Sequence, residues 1–194
     1  MAYSDAALLN PVREGISSRW KYRVWMDEAP VALEGEWISE ERSTDTYFVS
    51  PLTRWQLRIS NGTHLELAIN TETKDGLEHW TTEVREAFPL TPDVVHAATS
   101  LHLSDYVCQT AERLETFIDL CTNFRVVKVN KRRQLTTMGS ALVKWTEADI
   151  DGTPSYCCAL ESSSFEELKR IVELTGLSGQ KNCDYSSFLR SLGH

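Results

Sequence analysis

The segment Arg19–Met26, with the sequence RWKYRVWM, decides how the fold is interpreted, because basic residues alternate along it with large apolar and aromatic ones. This period of two is typical of a β-strand with one buried face. The opposite face would carry the cations Arg19, Lys21 and Arg23. On a single strand such a face ordinarily points into water. The interpretation therefore depends on whether other strands repeat the pattern.

Later segments do repeat the alternation. RWQLRIS (54–60) and HLELAIN (64–70) flank an Asn-Gly pair and are predicted to form a hairpin, and VVKVNKRR (126–133) and LVKWT (142–146) alternate in the same way. The polar faces of these predicted strands carry eight cations: Arg19, Lys21, Arg23, Arg54, Arg58, Lys128, Arg132 and Lys144. In an antiparallel sheet that curls into a barrel, all of them can line one cavity.

Further strands and two helices complete the predicted fold. STDTYFV (43–49), a segment around Trp80–Val84 and SYCCALES (155–162) have strand patterns. Helical spacing runs from Leu103 to Asn123, where Ser104 or Asp105 is placed to cap, and a second helix is predicted after a Ser163–Glu166 capping pattern, with Gly176 as its stop. These patterns predict one α+β domain over residues 1–194, in which antiparallel strands form a sheet and helices cover it.

Composition restricts the partners. The 20 Lys and Arg residues against 28 Asp and Glu residues give a net charge of −8, which disfavours nucleic acid and anionic membranes as partners. The sequence shows neither a signal-peptide pattern nor an apolar run of membrane-spanning length, which predicts a cytoplasmic protein. Five cysteines without C-x-x-C spacing predict free thiols rather than disulfides or a zinc site: Cys108, Cys121, Cys157, Cys158 and Cys183.

Electrostatics leaves two interpretations of the cationic faces. Each unpaired ion in a low-dielectric interior costs on the order of several kcal/mol, against a total stability of roughly 5–15 kcal/mol. A barrel lined by these cations must therefore hold water and anions. Alternatively, the charged faces are simply exposed to solvent, and periodicity alone does not separate the two.

The order of several short motifs resembles the CYTH superfamily, the triphosphate tunnel metalloenzymes. The matching pieces are STDTYFVSPLTRWQLRISNGTHLELAIN (43–70), VKVNKRRQL (127–135), VKWTEADIDG (143–152), CALESSSFEELKRIVELTGL (158–177) and CDYSSFLRSL (183–192). The resemblance implies an eight-stranded antiparallel tunnel that binds triphosphates such as inorganic triphosphate, thiamine triphosphate or nucleotides with a divalent metal. It also implies that the family hydrolyses or cyclises these compounds.

The site residues that the resemblance implies match the family unevenly. The E-x-E-x-K motif of the first strand is absent, because its best-matching positions are Lys21, Arg23 and Trp25. The metal ligands would be Glu66 and Glu161, holding Mg²⁺ or Mn²⁺. The phosphate-binding residues would be Lys21, Arg23, Arg58, Lys128, Arg132 and Lys144, since guanidinium groups clamp phosphate oxygens and lysine supplies a point charge.

Three functional hypotheses follow. The first is a triphosphate-binding protein with weak metal-dependent hydrolysis, and the second is a non-catalytic binder of polyphosphate or nucleotide. Losing carboxylates while gaining cations favours tight ground-state binding over hydrolysis, and no residue is identified as a catalytic base. The third, a β-barrel carrier of an apolar ligand, is disfavoured by the number of cations. The sequence predicts neither the ligand nor the oligomeric state.

Overall fold

The fold is a closed antiparallel barrel. A computed structural model describes residues 17–26, 37–51, 54–99 and 109–193. The strand order is β1-β5-β4-β3-β2-β6-β7-β8. The strands are β1 (Ser18–Met26), β2 (Ser39–Val49), β3 (Trp55–Ser60), β4 (His64–Lys74), β5 (Leu77–Ala87), β6 (Arg125–Met138), β7 (Ala141–Ile150) and β8 (Thr153–Ser162). The helices in the described part of the chain are α1 (Pro92–Thr99), α2 (Leu114–Leu120), α3 (Phe165–Leu174) and α4 (Tyr185–Ser191).

The predicted fold class is confirmed, and every predicted strand forms. The β3–β4 hairpin turns at Asn61 and Gly62, whose φ angles are 51° and 69°. Positive φ at both positions is what a tight hairpin turn of matching twist requires, and Asn and Gly adopt it at low cost. The Asn61 Oδ1 atom also accepts a hydrogen bond from the Thr44 amide at 2.9 Å, which ties the turn to β2.

Helices cover the outer wall of the barrel on two sides. Beneath α3, the outward apolar residues of β1, β7 and β8, among them Tyr22 and Val143, pack against Leu168 and Ile171. The outward residues of β3 and β4 form a second cluster with α1, α2 and the segments around them. This burial explains why large residues alternate with the cations. The strand face with the large residues packs against helices, and the other face points into the barrel.

The third apolar cluster lies at one end of the barrel interior. Inward residues of β2, β6, β7 and β8 meet α4 there, including Val127 and Val129 on β6 and Tyr185 and Leu189 on α4. The ring of Phe188 stacks on Trp25 with centroids 3.5 Å apart. Helix α4 therefore closes this end, and the interior is a cavity with one closed end.

The helix predicted over Leu103–Asn123 is wrong in its middle part. Residues 109–113 are not helical, because Ala111 forms a β-bridge with Leu90 through backbone hydrogen bonds of 2.8 and 3.1 Å. Of the predicted helix, the described residues form only α2. Residues 100–108, with the predicted cap at Ser104 or Asp105 and with Cys108, lie outside the described residues.

The cap of α3 differs from the prediction by one residue. Strand β8 runs through Ser162, so Ser164 rather than Ser163 becomes the N-cap and accepts a hydrogen bond from the Glu167 amide at 3.3 Å. The predicted stop is confirmed, because Gly176 has a φ of 69° directly after the C-cap Thr175.

The cysteines within the described ranges carry no disulfide: Cys121, Cys157, Cys158 and Cys183. No helix among the described residues is both long enough and apolar enough to cross a membrane.

The closed end of the barrel generates a stability prediction. Leu189 of α4 is fully buried within the strands, whereas Leu192 just beyond the helix is 41% exposed. We expect Leu189→Ala to lower the free energy of unfolding by about 2–5 kcal/mol, because it leaves a cavity inside the barrel. Leu192→Ala is the matched control and should cost far less. Urea unfolding measures both, and equal effects would contradict the placement of α4.

Candidate functional site

The open part of the barrel encloses a cavity of about 430 Å³. Its wall is unusually rich in charge for a protein interior, with seven cationic and four acidic side chains among the described residues. The cations are Arg19, Lys21, Arg23, Arg58, Arg85, Arg133 and Lys144. The acids are Glu66, Glu78, Glu161 and Asp184. Tyr47 and Tyr185 lie towards the closed end. Such a wall suits a polyanion and does not suit an apolar ligand.

The structure brings most of the predicted site residues together. Lys21, Arg23, Arg58 and Lys144 line the cavity, as do the two predicted carboxylates, Glu66 and Glu161. Register explains the grouping on one side, because Lys21 of β1 pairs with Glu161 of β8, and β7 lies next to β8. On the other side, Arg58 of β3 pairs with Glu66 of β4. Their roles in binding stay predictions.

Lys128 and Arg132 do not enter the cavity, and their predicted placement is wrong. Lys128 is exposed, and Arg132 forms ion pairs on the outside of β6 with Glu40 at 2.9 Å and Glu147 at 3.4 Å. Arg54, another of the eight cations, precedes β3 and is exposed. The face of β6 that points inward is therefore the opposite of the predicted one.

The cause of the reversal is that one face of β6 changes character along its length. Val127 and Val129 face inward and pack at the closed end, and the same face then carries Lys131 and Arg133 towards the open part. Sequence reasoning assigned the valines to the outer face. The three consecutive cations Lys131–Arg133 could have indicated this. Adjacent residues of a strand point to opposite faces, so whichever face of β6 is turned inward carries a cation.

The residue that sequence reasoning missed most clearly is Asp45 of β2. Its Oδ2 atom lies 2.6 Å from Lys131 Nζ, 2.9 Å from Arg58 Nη1 and 3.2 Å from Arg133 Nη2. Ser60 donates a further hydrogen bond to Oδ1 at 3.1 Å. Burial alone would raise the pKa of Asp45, but the surrounding cations hold this pKa well below its usual value. Asp45 is therefore ionised, and two of its three partners are guanidinium groups that do not lose their charge.

Lys131 is the most deeply buried of these cations, with a side chain that is 0% exposed. Its Nζ atom donates to the Tyr47 hydroxyl at 2.6 Å and lies 3.9 Å from the centre of the Tyr185 ring. Burial lowers the pKa of Lys131 well below its usual value, although Asp45 opposes this. Lys131 thus connects Asp45 of the barrel wall with Tyr185 of α4, and its charge is not free for a ligand.

The two predicted metal ligands are ion-paired. Arg58 Nε donates to Glu66 Oε2 at 2.9 Å, and Arg85 Nε lies 3.5 Å from Glu66 Oε1. Lys144 Nζ donates to Glu161 at 2.9 Å. Burial opposes ionisation of Glu161, but the nearby ammonium groups lower its pKa to about 2. Both carboxylates are therefore ionised and already hold a cation.

Lys21 and Arg23, like the exposed Arg19, form no ion pair within the described ranges, whereas the other cations of the cavity wall do. Arg23 lies with its guanidinium carbon 4.7 Å from the centre of the Tyr185 ring, and its buried Nε atom has no hydrogen-bond partner among the residues that the structure describes. Burial lowers the pKa of Lys21 to about 8, with Glu161 acting in the opposite direction. These side chains have donor capacity left for a ligand.

A divalent metal, which the resemblance implies, does not fit the donor set. In the described part of the chain, no group of three or more His, Cys, Asp and Glu side chains could hold a metal ion. Mg²⁺ needs oxygen ligands in a near-octahedral shell, but both oxygens of Glu66 and the Oε2 atom of Glu161 are already engaged by guanidinium or ammonium groups. That Glu66 and Glu161 hold a metal stays a prediction, and their contacts point to another role.

The fold and the cavity define a class of protein, an eight-stranded antiparallel barrel with a cation-lined interior. No protein-family model matches the chain, and the search of curated proteins found no significant match. Solved structures do match. A conserved hypothetical protein from Pyrococcus furiosus has a TM-score of 0.51 and 13% identity, covering 86% of this chain and 98% of that one.

Two further structures carry functional descriptions. An adenylyl cyclase candidate from Hippeastrum, described as having a dominant triphosphatase activity, has a TM-score of 0.52 and 13% identity over 91% of this chain and 97% of that one. An adenylate cyclase candidate from Bacillus halodurans has a TM-score of 0.54 and 12% identity over 92% of this chain and 100% of that one. At such identities the likeness shows the fold, which is the barrel that the CYTH resemblance implies.

The charge cluster around Asp45 generates a prediction. Asp45→Asn removes the anion shared by Arg58, Lys131 and Arg133, and so leaves buried positive charge uncompensated. We expect the free energy of unfolding to fall by about 3–5 kcal/mol in chemical denaturation. The matched control is Asp75→Asn, whose ion pair with Lys169 is solvent-exposed, and it should change stability little. A stable Asp45→Asn protein would show that the cluster does not need its central anion.

Proposed function

We propose that the protein is a CYTH-like cytoplasmic protein, one tunnel domain over residues 1–194, that binds triphosphate-containing compounds inside the barrel. The observation that carries the proposal is the excess of cations over acids in an enclosed cavity, together with the unpaired positions of Lys21 and Arg23. A polyanion can exploit such donors because charge-assisted hydrogen bonds are strong where water is partly excluded. The functional descriptions of the Hippeastrum and Bacillus structures support the same ligand class.

Five of the cavity cations have stated parts in this proposal. Lys21 and Arg23 meet phosphate oxygens directly, because they have no carboxylate to leave. Arg58 and Arg133 keep Asp45 as their partner and present their remaining N–H groups. Arg19 of β1 is exposed and lines the cavity, so it attracts the anion before it enters.

The partner is a small molecule rather than a nucleic acid. The cations lie inside a barrel with one closed end, while the chain as a whole carries a charge of −8. A phosphate chain or a terminal triphosphate group can enter such a cavity, but a duplex backbone cannot.

Binding is favoured over hydrolysis as the main function. Hydrolysis requires interactions that are stronger in the transition state than in the ground state. Lys21 and Arg23 carry full charges beside the substrate before any reaction begins, so they stabilise both states. Within the described cavity residues we identify no general base placed to activate water.

Binding should depend on Lys21 and not on Lys128. Lys21→Gln removes a cation that faces the ligand, and we expect the affinity for inorganic triphosphate to fall by about 1.5–3 kcal/mol, roughly tenfold to more than a hundredfold. Lys128→Gln is the matched control, because it makes the same change on the outer face of β6. Isothermal titration calorimetry measures both. Equal losses, or none in either variant, would place the ligand elsewhere.

Binding should also weaken as the pH rises. Lys21 is protonated below its pKa of about 8 and neutral above it, and burial causes this lowering while Glu161 opposes it. The charged groups around Lys21 are Glu161, Arg23, Lys144 and Arg58. We expect the affinity advantage of the wild type over Lys21→Gln to fall by up to about tenfold per pH unit above the pKa. Comparing the two proteins removes the titration of the ligand itself. A constant advantage up to strongly alkaline pH would contradict the role of Lys21.

A further inference from the structure

We propose that this cavity holds its polyanion without a divalent cation, and that Lys21, Glu161 and Lys144 form a fixed charge group that takes the place of a metal. The inference rests on the proposed triphosphate binding and concerns how the same site neutralises its ligand. It opposes what the CYTH resemblance implies, and it comes from the contacts that the carboxylates make.

The two carboxylates on the barrel wall are occupied. Glu66 accepts from Arg58 Nε at 2.9 Å and lies 3.5 Å from Arg85 Nε. Glu161 accepts from Lys144 Nζ at 2.9 Å. A metal ion at either carboxylate would have to compete with the cation that already contacts it.

The other two acids that line the cavity also have donors. Asp184 accepts from the backbone amides of Ser186 and Ser187 at 2.8 and 3.1 Å, and so caps α4. Glu78 accepts from Trp80 Nε1 at 3.0 Å. Among the described residues, the cavity therefore offers a metal no carboxylate that lacks a donor.

Electrostatic repulsion acts in the same direction. Lys21 pairs with Glu161 in the β1–β8 register, and Lys144 contacts the same carboxylate from β7. A divalent ion bound to Glu161 would lie beside both ammonium groups, and its repulsion from each is twice that of a monovalent ion at equal distance.

The fixed group performs the task for which a metal would otherwise be needed. Glu161 accepts a hydrogen bond from Lys144 and attracts Lys21 without an ion pair, and so it offsets the mutual repulsion of the two ammonium groups. When a polyanion enters, these ammonium groups meet its oxygens, and no ion has to be recruited from solution. Glu161 is thus a positioning residue and does not itself contact the ligand.

Calorimetry in two buffers tests the metal requirement. Inorganic triphosphate is titrated into the wild-type protein with EDTA and, separately, with excess Mg²⁺. We expect binding in EDTA that is as tight as, or tighter than, binding with Mg²⁺, because the dication neutralises the ligand and competes with the fixed cations. Binding that appears only with Mg²⁺ or Mn²⁺ overturns the inference but leaves the proposed function standing. No binding in either buffer overturns the proposed function itself.

A variant separates a positioning carboxylate from a metal ligand. Glu161→Gln removes the anion that holds Lys21 and Lys144 in place, so we expect the affinity for triphosphate to fall by about threefold to tenfold, and by the same factor in EDTA and with excess Mg²⁺. Glu173→Gln, an exposed carboxylate on α3, is the matched control and should change nothing. Rapid phosphate release with Mn²⁺ that Glu161→Gln abolishes would overturn the inference.

A measurement on the unmodified protein guards against misfolding of the variant. Electron paramagnetic resonance of Mn²⁺ added to the wild-type protein reports how much of the ion is bound. We expect the spectrum of free Mn²⁺ in the absence of triphosphate. Stoichiometric Mn²⁺ binding that triphosphate does not require would show a metal site and contradict the inference.

Discussion

The ion pairs and hydrogen bonds of Asp45 are the interaction on which the charged interior of the barrel depends. One buried carboxylate joins three strands, since it lies on β2 and holds Arg58 of β3 together with Lys131 and Arg133 of β6. In a low-dielectric interior these cations would otherwise repel one another and destabilise the barrel. The central anion makes it possible for the neighbouring wall to carry cations that remain available to a ligand.

Helix α4 closes one end of the barrel, so the two ends of the interior differ in character. Tyr185 stacks on Tyr47 with ring centroids 5.1 Å apart, and the Lys131 ammonium lies beside both rings. Aromatic and apolar residues pack together at this end, whereas charged side chains line the rest of the cavity. A single strand face can therefore serve both purposes, apolar where α4 inserts and cationic beyond it.

The barrel also separates two charge patterns that would be incompatible on one surface. The chain carries a net charge of −8, yet its enclosed cavity has more cations than acids. Small anions that enter meet converging donors, whereas large polyanions meet a predominantly acidic molecule. Two of the inner carboxylates, Glu66 and Glu161, each balance a neighbouring cation of the barrel wall.

The sequence by itself determined the strands and the cationic face of β1, because a period of two is a local property that backbone geometry imposes on each strand. The barrel class, and with it Lys21 and Glu161 as cavity residues, followed from the CYTH resemblance of the sequence, since periodicity alone left exposed faces as an alternative. Only the tertiary structure decided the phase of β6. Val127 and Val129 can be buried against an outer helix or against α4 inside the barrel, and the local pattern is the same in both cases. The partners of the carboxylates were likewise beyond the sequence, because they come from strands far apart in the chain that only the closed barrel brings within hydrogen-bonding distance.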